Sequence, residues 1–231
     1  MKKKLADFPE LELLDWSKDC IEERCSVLSH GNQGFTYVLN PGPKQLLIKA
    51  PSRHGLSGLV QRWMLHKEFN TYSRLAGMRG IPQCYGFAKG RYLILEYVHG
   101  KTIREAGIAD QETFFKELFE LVSEMHRRGV AHGDMKRKEN ILVVDGSHPC
   151  LVDFGVSVVY KRGFAPLNHC LFALFKTWDY NAWVKLKYNR KISSASAEDR
   201  QFYRRTLIEC LAHWTKASYR KVTRWMIGVK G

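Results

Sequence analysis

The 231 residues carry 45% hydrophobic side chains and a formal charge of +14, the balance of a folded chain with a sizeable core and a strong positive field. Six cysteines with no C-x-x-C pair and no regular spacing argue against a zinc site or a disulfide framework and for reduced thiols; no run of about 18 apolar residues offers a bilayer span. The charge is uneven, with 15 Lys/Arg against 4 Asp/Glu from Val156 to Gly231, so the last third favours an anionic partner: nucleic acid, an acidic membrane surface or a phosphorylated substrate.

In chain order, residues 1–24 read as a helical lead-in with Leu11, Leu13, Leu14 and Trp16 on a loose apolar face. Met1-Lys2-Lys3-Lys4 begins like a signal peptide, but Asp7, Glu10, Glu12 and Asp15 interrupt the apolar region, so no export signal is expected. Phe35 to Val38 and Leu46 to Ile48, joined by Asn40-Pro41-Gly42-Pro43, predict a β-hairpin. Leu59 to Leu75 predicts a helix with Leu59, Trp63, Leu65, Phe69, Tyr72 and Leu75 on one side, ended by Gly77 and Gly80 before a strand pair that begins at Ile81-Pro82. Tyr92 to Val98 reads as a strand running into a link at His99-Gly100. Gln111 to Arg128 is strongly amphipathic through Phe114, Leu118, Leu121, Val122 and Met125. Two short strands, 141–144 and 150–152, bracket the turn Asp145-Gly146-Ser147 and put Asp153 at a strand end.

The most informative stretch is Ala131-His132-Gly133-Asp134-Met135-Lys136-Arg137-Lys138-Glu139-Asn140, followed thirteen residues after its Asn by Asp153-Phe154-Gly155. It has the parts of a phosphoryl-transfer site: Asp134 to accept a hydroxyl proton, and the hard oxygens of Asn140 and Asp153 to hold a divalent metal that carries ATP.

With the motifs that precede it, this stretch resembles the protein-kinase-like superfamily across roughly residues 25–160. The resemblance implies an α+β, two-lobed protein-kinase-like fold, with a β-rich small N-lobe over residues 25–98 and a reduced helical C-lobe over 99–231. It implies that Ser29-His30-Gly31-Asn32-Gln33-Gly34 is a phosphate-covering loop using Gly31 and Gly34, although the same spelling alone serves a hairpin turn. Lys49 then stands where the phosphate-binding lysine is expected, and Glu68 is the acid that pairs with it. Glu96 and Val98 offer backbone groups to adenine, and Lys136 resembles a lysine aimed at the transferring phosphate. The implied cofactors are ATP and Mg²⁺, with Mn²⁺ as the other candidate. One departure concerns Asn140, which follows Asp134 by six residues where the usual pattern has five.

Gly133 stands where regulated protein kinases carry an Arg, and only 76 residues follow Gly155, with no Ala-Pro-Glu element. This shortened form resembles small bacterial kinases of the RIO-like and lipopolysaccharide-core sugar kinase type. The leading expectation is therefore a cytoplasmic kinase, peripheral at the inner membrane, that phosphorylates a sugar hydroxyl of a lipopolysaccharide-core glycolipid. Its support is the basic, aromatic-rich content of Leu171 to Lys191 and Gln201 to Trp225, suited to an anionic headgroup surface. The alternatives are a RIO-like serine/threonine protein kinase whose basic surface docks on ribosomal RNA, and an ATP-binding pseudokinase scaffold.

Overall fold

The computed structural model describes residues 26–31, 34–40, 45–51 and 55–204. The lead-in expected over residues 1–24 and most of the Gln201 to Trp225 segment lie outside them.

Five antiparallel strands make the first sheet: β1 (Ser26–Gly31), β2 (Gly34–Leu39), β3 (Leu46–Ala50), β4 (Cys84–Ala88) and β5 (Tyr92–Glu96), in the order β1-β2-β3-β5-β4. The expected hairpin is the β2–β3 pair, in which Tyr37 opposes Ile48. Alternation along β3 divides the sheet's two faces. Leu46, Ile48 and Ala50 are buried with Tyr37, Tyr85, Tyr92 and Ile94, whereas Leu47 packs on a larger core that contains Leu93 and Leu95. Lys49 shares the Leu47 face, and a one-residue slip of β3 would move it to the other side of the sheet.

Against that face lies helix α1 (Gly55–Arg74). Leu65, Glu68, Phe69, Thr71, Tyr72 and the following Leu75 are buried, a three-and-four spacing that marks one stripe. Leu59 and Trp63, expected on the same side, are 60% and 65% exposed. Trp63 stands two residues, about 200° of rotation, from Leu65 and cannot share its stripe. The next strand pair also starts later than the sequence suggests, at Cys84, and β5 ends at Glu96, leaving Tyr97 and Val98 in the linker.

The second half is helical around two small sheets. β6 (Lys101–Thr102), β8 (Ile141–Val144) and β9 (His148–Leu151) form one, and β7 (Val130–Ala131) pairs with β10 (Val158–Val159) in the other. Helix α2 (Gln111–Arg127) starts at Asp110, whose carboxylate accepts the Thr113 N–H at 3.0 Å. All five apolar residues expected on its inner face are buried. That face outweighs the cap: each large apolar side chain contributes about 1.5–3 kcal/mol, the cap about 1 kcal/mol.

Helix α3 (Pro166–Lys187) and the short α4 (Ala197–Arg200) complete the described chain. Part of the aromatic content read as a membrane-facing stripe is core. Trp183 is buried and donates its indole N–H to the Phe115 carbonyl at 2.8 Å, and Tyr180, Trp183 and Phe202 pack around Phe119 of α2. No helix among the described residues is long and apolar enough to cross a membrane. The architecture is the expected α+β one, with a β-rich N-terminal region and helices dominating after the linker.

Among the described residues Cys84, Cys150 and Cys170 are in no disulfide. Burial, with Glu96 nearby, pushes the Cys150 thiol up to about 12, whereas Cys170 is exposed on α3. Iodoacetamide at pH 8 is therefore expected to label Cys170 in the native protein and Cys150 only after unfolding, as read by peptide mass spectrometry. Equal labelling rates would contradict the packing of β9.

Candidate active site

The structure joins three of the predicted residues through one lysine. Lys49 Nζ on β3 donates to Glu68 Oε1 of α1 at 2.7 Å and to Asp153 Oδ1 at 2.9 Å. Glu68 is fully buried, Lys49 nearly so, and Asp153 is 41% exposed. Burial opposes the charge on Lys49, but the two carboxylates outweigh it and hold the ammonium above its ordinary pKa. For Asp153 burial again works against the charge; Lys49 and the Gly155 N–H more than offset it, so its carboxyl lies below the usual aspartate value. Burial pushes the Glu68 carboxyl up against the pull of Lys49. This lysine–helix-acid pair must be closed in a working protein-kinase site, and here it is closed.

Asp153 adopts φ +62°, a left-handed conformation that Asp tolerates better than most residues. Its neighbours hold it there. Phe154 is fully buried between Tyr72 of α1, at 5.1 Å between ring centroids, and His132, at 4.7 Å. Ser157 donates its hydroxyl to the Phe154 carbonyl at 2.7 Å and meets the Thr71 hydroxyl at 2.9 Å, pinning the turn to α1. Sequence reasoning passed over Ser157.

The loop that carries Asp134 is tied to the same turn. His132 accepts the Asp134 N–H at Nδ1 (3.3 Å), so its Nε2–H is the donor to the Val152 carbonyl at 3.0 Å, just before Asp153. Asn140 Nδ2 donates to the Asp134 carbonyl at 3.1 Å, and Val152 N–H donates to the Asn140 carbonyl at 3.0 Å. The six-residue spacing is absorbed by two tight turns, Arg137 N–H to Asp134 O at 3.2 Å and Asn140 N–H to Arg137 O at 3.1 Å. Asn140 therefore still reaches Asp134.

The anchor under this loop was not found from the sequence. Asp179 of α3 is fully buried and accepts three hydrogen bonds: from His126 Nε2 at 2.9 Å, the His132 N–H at 2.8 Å and the Gly133 N–H at 2.7 Å. Two backbone donors, the buried His132 N–H and the half-buried Gly133 N–H, are thereby satisfied by a side chain 47 and 46 residues downstream. A signal existed: Asp179 is the only acid in the 22 residues of α3.

Gly133, read from the sequence as a missing Arg, has a positive structural reason. Its φ is +79°, and a Cβ there would enter the Phe175 ring well inside van der Waals contact. Gly133→Ala is expected to combine left-handed strain, about 1–2 kcal/mol, with overpacking, about 1–3 kcal/mol. Thermal unfolding would measure the loss, and Phe175→Ala in the same chain should recover the packing part only.

The remaining predicted residues are placed less decisively. Gly31 and Gly34 face each other at the close of the β1–β2 hairpin, with residues 32 and 33 outside the described set. Glu96 ends β5, its carboxylate turned to accept the Gln83 N–H at 2.9 Å, and Val98 follows in the linker. Both line a cavity of about 610 Å³ that includes none of Lys49, Asp134, Asn140 or Asp153. Lys136 is exposed and lines a separate small cavity beside the C-terminus of α3.

Among the described residues no group of three or more His, Cys, Asp or Glu is placed to cage a metal. Asp153 and Asn140 suit a different arrangement. With its nitrogen committed to the Asp134 carbonyl, Asn140 retains Oδ1, and one amide oxygen plus one half-exposed carboxylate fits a Mg²⁺ or Mn²⁺ ion shared with nucleotide phosphates.

Comparison with known proteins finds kinase-like relatives. Residues 65–187, more than half the chain, match the ABC1 atypical kinase-like domain. Serine/threonine-protein kinase D of Synechocystis sp. is 34% identical over 144 residues, 55% of this chain and 28% of that one. The probable serine/threonine-protein kinase pknA2 of Bifidobacterium longum is 37% identical over 121 residues, 48% of this chain and 15% of the relative. The probable serine/threonine-protein kinase fnkB of Dictyostelium discoideum is 28% identical over 112 residues, 44% and 20% of the two chains. The chain thus spans well under a third of the length of these relatives.

Proposed function

The chain belongs to the ABC1 atypical kinase-like family, and on that footing we propose that it transfers the γ-phosphoryl group of ATP to an alcohol, with Asp134 accepting the hydroxyl proton. The observation that carries this reading is the assembled constellation: Lys49 closed on both Glu68 and Asp153, and Asn140 bonded to Asp134. In phosphoryl transfer the protein mainly positions the reactants and neutralises charge. Lys49 binds the ATP phosphates and is held straight by Glu68. Asp134, fixed through His132, Asn140 and Asp179, aims the acceptor oxygen and takes its proton. Asp153 and Asn140 would hold the divalent ion, which supplies charge neutralisation on the phosphates. The backbone of Glu96 and Val98 borders the adenine, and Gly31 and Gly34 cover the phosphates. A scaffold that only binds nucleotide has no use for a proton acceptor so carefully fixed.

The acceptor is a sugar hydroxyl of a lipopolysaccharide-core glycolipid, reached by an enzyme resting on the inner membrane. Two features support this. Only ten residues separate Gly155 from the start of α3 at Pro166, too few for a broad peptide-docking platform. Phe164 and Leu167 at the start of α3 are 98% and 82% exposed, with Lys161 and Arg162 beside them, a surface suited to an anionic headgroup layer. A protein Ser/Thr acceptor is the second reading, favoured by Lys136 and by the names of the relatives.

Mass spectrometry of membrane glycolipid and of total protein, from cells making the wild type or Asp153→Asn, separates them. Loss of a phosphate from the core glycolipid alone is the expected result. Loss from serine or threonine peptides would favour the second reading, and loss from neither would overturn the proposal.

A further inference from the structure

Beyond the transfer chemistry, we propose that the cavity behind the linker is a docking site for a basic peptide segment of a partner protein, one that carries Lys or Arg next to apolar side chains. The cavity, about 610 Å³, lies within the roughly 300–1,000 Å³ of ordinary ligand sites. Its walls are the loop after α1 (Gly77 to Ile81), the end of β5 with the linker (Glu96 and Val98), one flank of α2 and the β8–β9 turn.

Two surfaces of different chemistry meet there. The floor is apolar: Met78, Leu121 and Cys150 are buried, and Ile81, Val98 and Val144 are only partly covered. The rim is acidic, with Glu96, Glu117, Glu120, Glu124 and Asp145 against Arg79 and Arg128; five acids and two arginines leave a formal −3 in a chain of +14. Local pairing explains part of this. Glu124 holds Arg127 and, at 2.8 Å, Arg128, which also donates to the Ala76 carbonyl at 3.0 Å. Glu117 meets His148 at 2.9 Å, and Glu96 accepts the Gln83 N–H. Among the described residues no hydrogen bond or ion pair engages Glu120 or Asp145. An acidic rim alone would make only an acidic surface. The apolar floor beneath it selects a cation attached to an apolar body, and the rim's charge complements a basic segment.

Fixed contacts hold the cavity open. Gly80 adopts φ +80°, where a Cβ would stand 2.8 Å from the Pro149 carbonyl oxygen and 2.9 Å from Leu121 Cδ2. Its own carbonyl accepts the Leu151 N–H at 2.9 Å. The loop after α1 is thereby fastened against β9 and α2, so a docking segment meets a preformed wall. None of Lys49, Asp134, Asn140 or Asp153 lines the cavity, so a partner can dock while the nucleotide site is filled.

The test is fluorescence anisotropy of a labelled peptide, Arg-Arg-Ala-Leu-Ala-Leu, titrated with the full chain in the presence of a non-hydrolysable ATP analogue and Mg²⁺. Wild type is expected to bind it saturably at one site, and Glu120→Gln/Asp145→Asn to bind it about tenfold more weakly, with thermal unfolding and analogue affinity unchanged. Both positions are exposed, and asparagine accepts the left-handed backbone of Asp145, φ +50°. The peptide with serine in place of both leucines should also lose about tenfold. Glu112→Gln/Glu198→Gln, which removes two exposed acids outside the cavity, should bind as wild type does. No binding by wild type, equal binding by the cavity variant, or equal weakening by the distant one overturns the docking site. None of these outcomes touches the phosphotransfer reading, which fails separately if the analogue does not bind. Residues 205–231 are themselves basic and aromatic. Binding that emerges only when Lys216, Arg220, Lys221 and Arg224 are replaced by alanine would give the cavity to this chain's own segment, against a partner.

Discussion

Asp153→Asn is expected to lower phosphoryl transfer by about 10²–10³-fold while the protein stays folded. Asparagine accepts the left-handed backbone that Asp153 occupies, φ +62°, nearly as readily as aspartate does, so the substitution tests charge rather than conformation. The Asp153 side chain is 41% exposed, and Lys49 retains its 2.7 Å contact with Glu68. What disappears is the negative charge beside Lys49. Transfer rate and denaturant midpoint measured on the same sample decide the matter: a normal rate would remove Asp153 from the chemistry, and a collapsed midpoint would make it a structural residue. The pH dependence has a definite sign. Because the folded-state pKa of Asp153 is depressed, its stabilising contribution is present above the unfolded-state value, near 3.8, and is lost as the pH falls through the lower folded-state value.

Asp179→Ala is expected to be the most damaging change to the fold, costing about 3–5 kcal/mol out of the roughly 5–15 kcal/mol that holds a typical domain folded. The substitution strips the hydrogen bonds from His126 Nε2 and from the His132 and Gly133 N–H groups, around a carboxylate that is itself fully buried. Asp179→Asn should do better than alanine but worse than wild type, because its amide has one accepting oxygen and turns N–H donors toward a backbone donor. Urea unfolding gives the stability loss. Transfer measured at low temperature, where the variant is still folded, should also fall, since Asp134 sits on the loop that Asp179 holds. A variant with wild-type stability would contradict this anchoring.

The candidate site residues were legible in the sequence through the motifs that resemble the protein-kinase-like superfamily. Local chain geometry then brings Lys49 of a strand to Glu68 of a helix, and the separations of Asp134, Asn140 and Asp153 are ones that short turns can realise. Asp179 was hidden because its partners lie 46 and 47 residues away and are backbone groups, which no side-chain pattern announces. The aromatic content of α3 was only partly legible for a related reason: composition does not say which side of a helix packs, and Trp183 is buried against Phe115 while Leu171 and Leu174 of the same helix are exposed. Gly133 was read by what it lacks, and the Phe175 ring that requires it comes from a distant element. The acidic rim around Glu120 needed the fold to bring Glu96 and Asp145 beside α2.

Asp134 is proposed as the proton acceptor of a single phosphotransfer site formed with Lys49, Asn140 and Asp153. The most direct measurement is single-turnover consumption of the ATP γ-phosphate at saturating ATP and Mg²⁺, wild type against Asp134→Asn, with ATP affinity determined on the same samples. The expected rate is lower by about 10²–10⁴-fold with affinity within about twofold. An unchanged rate, or a loss explained wholly by weaker ATP binding, would contradict it.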